Sequence, residues 1–530
     1  MNERVPEVHN RGEFPVTSAY AGTITRFSQS QLWPALVMIV LWLIPCLYYA
    51  TLLTDGSFNF FRRAEHGMIF NSMLTHLSQG RFDVDPDAAA YEGFVHDGRT
   101  YAYFGIFCAL LRVPLLLSPR LMATDVTTLS VFIAACMGWL FRLLCLRTVI
   151  LRALPAIAPL RLLIVVYLGF ALAGESVQYL RASVYQEVVS WSDAFASAFV
   201  FIALNIVLGR RPGWLYSLGM AAISGLALLT RVSTGLGLYV TTGLILLVEL
   251  SRDTWFAGNE VKHIRAVTGW ASAFIARCFT FKYMTTVALL LLFAGITGVI
   301  NYYRWGNPLT FADFHTLPPW AGTFIHILEK YGEFNILRLP FGIVYYFFPI
   351  WIIPTENGTL LFAGNPVSLI PDMELPPSSF LLSDSLIVIL AGYCCYAVMR
   401  HGREVFPDAR MAAATLAGLA VPPALMLTAV SMTLRYRMEF YPQLDAAAYL
   451  GLFALVSSGV AYRMRSLQLL VAGAAFWGIA WAHITLLLYK ISAWIWASHL
   501  NLSQGWFAFI RGLLKAFYPS IGHVVDSLVR

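Results

Sequence analysis

Charge is scarce in this sequence. Only 12% of its 530 residues are Asp, Glu, Lys or Arg, whereas 58% are hydrophobic, and soluble domains are about one quarter charged. With a mean hydropathy of +0.67, this composition excludes a disordered chain, a nucleic-acid-binding module and most soluble enzymes. It predicts an all-α polytopic membrane protein. The excess of 36 Lys and Arg over 29 Asp and Glu is then expected in cytoplasmic loops rather than against a nucleic acid.

Several motifs are also missing. The seven cysteines lie in or beside apolar stretches, with no CxxC pair and no zinc-type Cys/His spacing, which predicts small buried side chains. Neither GxGxxG nor GxxxxGK[ST] occurs, so no nucleotide site is predicted. Residues 1–31 are polar and lack the form of a cleaved signal peptide. The first apolar run is therefore expected to act as a signal anchor.

Long apolar runs dominate the rest of the chain. A helix that crosses a bilayer needs about 20 apolar residues. Eleven such runs lie near 32–53, 126–150, 158–178, 190–208, 214–230, 234–250, 283–303, 379–398, 411–432, 443–462 and 467–490. The run 104–117 is shorter and contains Arg112 and Pro114. We expect it to be interfacial, re-entrant or a lead-in to the second span.

The positive-inside rule gives the orientation of these spans. With a cytoplasmic N-terminus, every inside loop is basic, including 251–282 and the loops that carry Arg403 and Arg463. A further span at 104–117 would reverse this order, so the charges favour eleven spans. The two halves show no matching pair of Gly- or Pro-broken spans, which argues against an inverted-repeat transporter.

This topology divides the chain into five parts. They are a cytoplasmic tail (1–31), a membrane module (32–303) with a long outer loop (54–125), a second outer loop (304–378), C-terminal spans (379–490) and an aromatic segment (491–530) expected to lie on the membrane surface among lipids.

The first outer loop is rich in acids. Seven of the chain's 29 acidic residues lie between Asp55 and Asp97. Residues 61–78 have helical periodicity, which predicts Glu65 and His76 on one face, with His66 beside Glu65. That face is either solvated or a binding surface. Asp83-Val84-Asp85 forms a DxD pattern, which suits a divalent metal on a diphosphate but also fits a structural loop.

Other candidates lie at the outer ends of the spans. Glu187 lies at the start of the fourth span, and Asp193 lies within it, where an acid is costly and a functional candidate. Four arginines are also predicted on the outer side: Arg231, Arg304, Arg435 and Arg437. An arginine fork there suits a phosphate. The alternative is a side chain that extends to the interface.

The layout resembles the GT-C superfamily of membrane glycosyltransferases, which includes the protein O-mannosyltransferases and the aminoarabinose transferase of lipid A. The shared plan is one span, a long acidic outer loop, six further spans, a second long outer loop and a variable set of C-terminal spans. The resemblance covers residues 30–460. Its motifs are LSQGRFDVDP, VHDGRTYAYFGIFCALLRVPL, VYQEVVSW, LLTRVSTGL, RWGNPLTF and RYRMEFYP.

The resemblance implies which acids act. The family's first catalytic acid is usually the Asp of an Asp-Glu pair, which corresponds to positions 64 and 65. Glu65 is present there and the Asp is not, so Asp55 and Asp83 stand as alternatives. The family's second acid corresponds to Glu187. It follows a Gln where bacterial members often have His, so a divalent metal ion stays open as a cofactor and its ligands unknown.

The resemblance therefore predicts an enzyme of the bacterial inner membrane. It would move a sugar from a polyprenyl-phosphate carrier to a lipid or glycan acceptor at the extracytoplasmic face. Glu65, Asp55 and Glu187 are the catalytic candidates, and the substrate-binding candidates are His66, Asp83, Arg231, Arg304, Arg435 and Arg437. The alternative is a transporter or flippase of an envelope lipid or glycolipid. An acyl or phosphoethanolamine transferase is a third option, but it needs a nucleophile that the sequence does not indicate.

Overall fold

The computed structural model describes residues 32–153, 160–179, 181–210, 213–260, 277–314, 322–348, 369–373, 378–401, 405–458 and 464–491. These ranges hold nineteen α-helices: α1 (Leu32–Thr54), α2 (Ile69–Ser78), α3 (Pro86–Ala89), α4 (Phe107–Leu110), α5 (Pro119–Met122), α6 (Thr127–Arg152), α7 (Leu160–Leu172), α8 (Val184–Val207), α9 (Trp214–Thr230), α10 (Val232–Glu260), α11 (Phe281–Trp305), α12 (Gly322–Tyr331), α13 (Leu339–Phe347), α14 (Phe380–Ser383), α15 (Ser385–His401), α16 (Ala409–Leu419), α17 (Val421–Thr428), α18 (Tyr441–Ser457) and α19 (Arg465–Ile491). Strands β1 (Phe94–His96) and β2 (Arg99–Tyr101) pair antiparallel, and β3 (Asp372–Met373) and β4 (Ser431–Met432) pair parallel.

Helices occupy every predicted apolar run. Within the described residues, seven helical stretches are long and apolar enough to cross a membrane: Pro34–Thr54, Thr127–Arg152, Val184–Val207, Val232–Arg252, Phe281–Trp305, Ala409–Thr428 and Arg465–Leu486. The other four predicted spans coincide with shorter helices, namely α7, α9, α14 with α15, and α18. The chain is an all-α polytopic membrane protein, because helices satisfy their own backbone hydrogen bonds in an apolar phase.

The helices pack as a bundle around one core. α6 lies along α8, α15 lies along α18, and α10 lies between α9 and α16. Small residues permit the closest approaches. A Cβ atom on Gly451 of α18 would lie 1.9 Å from the carbonyl oxygen of Leu390 in α15. Only glycine allows this crossing.

The predicted outer segments meet at one end of the bundle. The backbone of Gly105 packs on the carbonyl of Leu229, where a Cβ atom would come within 2.0 Å of the oxygen. Arg304 at the end of α11 donates to the Phe104 carbonyl oxygen at 2.8 Å. Phe334 forms a β-bridge with Ala429. The first outer loop is therefore held by α9, α11 and α8, while the second outer loop contacts the segment after α17.

One local prediction was wrong, that of a helix over residues 61–78. Residues 61–68 are not helical, and α2 begins only at Ile69. His76 therefore does not share a helix face with Glu65. The run 104–117 contains only the short helix α4 and a 3₁₀ turn, in line with the expectation that it does not span. The predicted tail 1–31 and all but one residue of the segment 491–530 lie outside the described residues.

Candidate active site at the outer end of the bundle

Glu65 lies where the first outer loop meets α8. It forms a single parallel β-bridge with Ser183, and the Val184 amide donates to the Glu65 carbonyl oxygen at 3.1 Å. Ser183 is also the N-cap of α8 and accepts from the Gln186 amide, which explains why that helix begins here. His66 then turns the chain with φ +53°. This turn separates Glu65 from α2.

Tyr91 and Arg181 hold the Glu65 carboxylate. The Tyr91 hydroxyl donates to Oε1 at 3.1 Å, and Arg181 Nη1 lies 3.4 Å from Oε2. Burial and the Glu65 carboxylate raise the pKa of Tyr91, so this phenol stays protonated and remains a donor at neutral pH. The carboxylate is thus oriented through one oxygen.

Several polar atoms around Glu65 are buried without a hydrogen-bond partner. They are Nε2 of His66, Nε of Arg181, and the two atoms of the ion pair, Glu65 Oε2 and Arg181 Nη1, whose 3.4 Å contact is not a hydrogen bond. The His66 ring is packed edge-on against Tyr91, with 4.6 Å between ring centroids. Buried donors and acceptors of this kind are costly unless a ligand or water bonds to them. Their clustering leaves hydrogen-bonding capacity here for a polar ligand or for water.

Arg231 is held beside this region by Glu439. Its Nε pairs with Glu439 Oε1, and Ser233 and Thr234 donate to the same carboxylate at 2.6 and 2.8 Å. The Arg231 side chain is still 19% exposed in this pair, so part of it is accessible from solvent.

Arg435 shares an aromatic neighbour with Arg231. Its guanidinium carbon lies 4.3 Å from the ring centroid of Tyr185 and 5.5 Å from that of Tyr436, while Arg231 lies 5.2 Å from Tyr436. Tyr185 also hydrogen-bonds to Glu92, the neighbour of Tyr91. We call the set Glu65, His66, Tyr91, Arg181, Arg231 and Arg435 the outer-face site.

Glu187 does not join the outer-face site, contrary to the prediction. Its side chain is fully buried, and its two oxygens accept from Nη1 and Nη2 of Arg112 at 2.7 and 2.9 Å. Arg112 also donates to Asn71 Oδ1 at 2.7 Å. In this arrangement Glu187 neutralises a buried arginine, and no oxygen of it is left to orient an acceptor or bind a metal.

Asp55 and Asp83 are likewise engaged elsewhere. Asp55 pairs with Arg62 at 2.7 Å. Asp83 Oδ1 lies 3.0 Å from Nδ1 of His76 and accepts from Nε of Arg81 at 3.0 Å. Burial raises the pKa of Asp83, but the hydrogen bonds from Arg81 and His76 outweigh this and hold the pKa at about 2. Of the candidate acids Glu65, Asp55, Asp83 and Glu187, Glu65 is the one with a buried carboxylate oxygen that makes no hydrogen bond.

The DxD carboxylates do not form a metal site. Asp85 accepts from Ser72 at 2.7 Å and lies 3.2 Å from Nε2 of His76, so both acids of the pattern are bonded within the loop. Within the described ranges, no three His, Cys, Asp or Glu side chains converge as ligands for one ion. The donor set does not fit a metal-bound diphosphate.

The other two candidate arginines point into the protein. Arg437 is 1% exposed, pairs with Asp384, and donates to Ser383 at 2.9 Å. Arg304 is 2% exposed, donates to the Phe104 carbonyl oxygen and contacts Met73 Sδ at 3.5 Å. Arg304 therefore fastens α11 to the first outer loop rather than extending to the interface.

Sequence reasoning missed two contributors. Tyr91 lies in a short 3₁₀ turn with no recognisable motif, and nothing in the sequence could have paired it with Glu65. Arg112 carried a usable signal, since a lone arginine in an apolar run requires an acid.

Comparison with known proteins gives structural matches only. No family model and no curated protein matches this sequence. The chain is similar to the oligosaccharyltransferase of Archaeoglobus fulgidus solved with a tethered acceptor peptide containing the NVT sequon, at 13% identity and a TM-score of 0.41, over 90% of this chain and 59% of that one. It is also similar to the archaeal oligosaccharyltransferase AglB from the same organism in complex with an inhibitory peptide and a dolichol-phosphate, at 13% identity and a TM-score of 0.41, over 87% of this chain and 58% of that one.

Both of these structures are of oligosaccharyltransferases. The present chain spans 59% of the length of the first of them. At this identity and TM-score, the likeness transfers no activity and no site residue.

Proposed function

We propose that this protein transfers a sugar from a polyprenyl-phosphate carrier to a lipid or glycan acceptor at the extracytoplasmic face of the membrane. The observation that carries the proposal is the Glu65 carboxylate, which Tyr91 orients through Oε1 while Oε2 makes no hydrogen bond. The donor class rests on the motif resemblance, and Glu65 is the member of the family's first Asp-Glu pair that this sequence retains.

Glu65 is proposed to act as the general base. Oε2 takes the proton of the acceptor hydroxyl while the acceptor oxygen forms a bond to the anomeric carbon of the sugar. The bond from that carbon to the phosphate oxygen breaks, and its electron pair leaves with the polyprenyl phosphate. Arg181 Nη1 lies 3.4 Å from Oε2, where its positive charge pairs with the Glu65 carboxylate before the transfer.

Arg231 and Arg435 are proposed to bind the leaving phosphate. Glu439 holds Arg231 through Nε while 19% of its side chain stays exposed, and Arg435 lies over Tyr185 and Tyr436. A guanidinium matches phosphate oxygens in a bidentate fork, and it stabilises the charge that grows as the sugar departs. The tyrosine rings between these arginines offer an apolar face to a sugar or an isoprenoid unit.

The test is transfer by purified protein in nanodiscs, with radiolabelled polyprenyl-phosphate sugars and cell-envelope lipid or glycan extracts. We expect Glu65→Gln to lower the rate about 10²- to 10⁴-fold, the usual contribution of a general base, with little change in donor binding. Asp97→Asn is the matched control, since Asp97 is exposed in the hairpin turn of the same loop.

Two results would contradict the proposal. One is binding of the labelled lipid with no transfer to any extract, which would favour the flippase. The other is full activity in Glu65→Gln, which would leave the reaction class intact but remove Glu65 as the base.

A further inference from the structure

A second cluster of ionisable side chains lies inside the bundle, away from the outer-face site. Arg142 of α6 pairs with three carboxylates. We call these four side chains the Arg142 cluster. Arg142 Nη1 lies 2.7 Å from Glu175, its Nη2 lies 2.7 Å from Asp193 of α8, and its Nε lies 2.8 Å from Asp445 of α18. None of the four side chains is more than 8% exposed.

The charges of this region do not balance. Arg142 contributes one positive charge against three carboxylates. The neighbouring pair of Arg437 and Asp384 is neutral by itself, and its Asp384 carboxylate touches Gly174, the residue before Glu175. If every acid were ionised, the two arginines would face four negative charges. No other basic side chain of the described residues pairs with these acids.

An excess of two negative charges is costly inside a membrane protein. Burying an ion without a partner costs several kcal/mol even after relaxation, and an acid within a span is normally paired or neutral. The region therefore needs further positive charge. The smallest ligand that supplies it is a proton, and one bound proton halves the excess.

The contacts of each acid show where a proton fits. Asp193 accepts from Arg142 through both oxygens, at 2.7 and 2.9 Å. Glu175 Oε1 lies 2.7 Å from Arg142 Nη1 and accepts from the Tyr179 hydroxyl at 3.0 Å, and neither oxygen of Glu175 is among the buried oxygens without a partner. Asp445 is different, because Oδ2 accepts from Arg142 while Oδ1 is buried with no hydrogen-bond partner.

A second unpartnered group lies beside Asp445. Tyr449 follows one turn later on the same helix, is 0% exposed, and its hydroxyl has no hydrogen-bond partner. Residues four apart on a helix are neighbours. A proton on Oδ1 would convert an acceptor without a donor into a donor, directed toward the side of α18 that carries this hydroxyl.

We propose that the Arg142 cluster is a proton-binding site and that Asp445 Oδ1 carries the proton. The groups that face the cluster from the neighbouring elements, besides Arg437 and Asp384, are Tyr49 of α1, Cys145 of α6, Tyr179, and Tyr441 and Tyr449 of α18. None of them supplies positive charge. The bound proton allows α18 to dock against α6 and α8, and so joins the C-terminal helices to the module that carries the outer-face site.

Infrared spectroscopy of the full chain in nanodiscs tests this. At neutral pH we expect a carbonyl band of a protonated carboxylic acid that shifts in D₂O. Asp445→Asn should remove that band and keep the wild-type melting temperature, because Asn copies the shape and neutrality of the protonated acid. Asp193→Asn is the matched control, and it should keep the band while lowering the melting temperature.

Other outcomes overturn the proposal. Absence of the band in the wild type, or its loss in Glu175→Gln but not in Asp445→Asn, removes the assignment to Asp445. Failure of Asp445→Asn to fold shows that the ionised form is required. A melting temperature that rises with Na⁺ or K⁺ at fixed ionic strength, without a carboxylic acid band, makes the ligand a metal cation instead.

Discussion

The side chain of Glu187 shows how burial decides between a site residue and a structural one. We predict that Glu187→Gln destabilises the protein by about 3–5 kcal/mol, because it leaves the buried Arg112 without an anion. The combined variant Arg112→Met with Glu187→Leu should recover most of this loss, since both charges are gone. Thermal unfolding of the purified protein in detergent measures both the loss of stability and its recovery. Unchanged unfolding together with lost transfer would instead return Glu187 to the outer-face site.

The arginines predicted on the outer side should differ in role: Arg231 and Arg435 are expected to affect transfer, and Arg437 the stability of the fold. Arg231→Lys and Arg435→Lys keep the charge but lose the bidentate geometry. Each should therefore raise the activation free energy of transfer, obtained from kcat/KM, by about 1.5–3 kcal/mol. Arg437→Lys should lower the unfolding temperature instead, since Arg437 is buried against Asp384. Wild-type activity in both Arg231→Lys and Arg435→Lys would mean that the phosphate binds elsewhere.

Single elements were predictable where composition alone determines them. Each of the eleven apolar runs forms a helix because its backbone has no other way to satisfy its hydrogen bonds in a bilayer. The stretch 61–78 was harder. Its apolar stripe at Ile69, Met73 and Leu77 correctly indicates α2, but the pattern was extended over residues that the β-bridge to Ser183 holds in another conformation. Tertiary pairing overrides local periodicity there, and the turn at His66 leaves no signal in the sequence.

The whole molecule depends on pairs that no local pattern specifies. Arg112 and Glu187 are 75 residues apart, and Arg142 and Asp445 are 303 apart. The charge rule for loops predicts only which segments share a side of the membrane. In the structure these segments do meet at one end. Which side chains form ion pairs there depends on how the helices pack. For this reason Glu65 could be named from the sequence, whereas Tyr91 and the Arg142 cluster could not.

The whole molecule is predicted to lie in the membrane with its N-terminus in the cytoplasm and the outer-face site on the opposite side. At the end opposite the outer-face site, Arg252 pairs with Asp408 and Lys282 pairs with Glu249, and basic loops of this kind face the cytoplasm. Single cysteines serve as probes in a background where Cys278 and Cys395, the two that are not buried, are replaced by Ser. Arg99→Cys and Asn307→Cys should react with a membrane-impermeant maleimide added to intact cells. Arg210→Cys and Arg410→Cys should react only after permeabilisation, because they are predicted to face the cytoplasm. All four positions are exposed, so a difference in labelling reports the side of the membrane. A reversed result at any one position would break the eleven-span order and would place Glu65 in the cytoplasm or detach it from the arginines proposed to bind the phosphate.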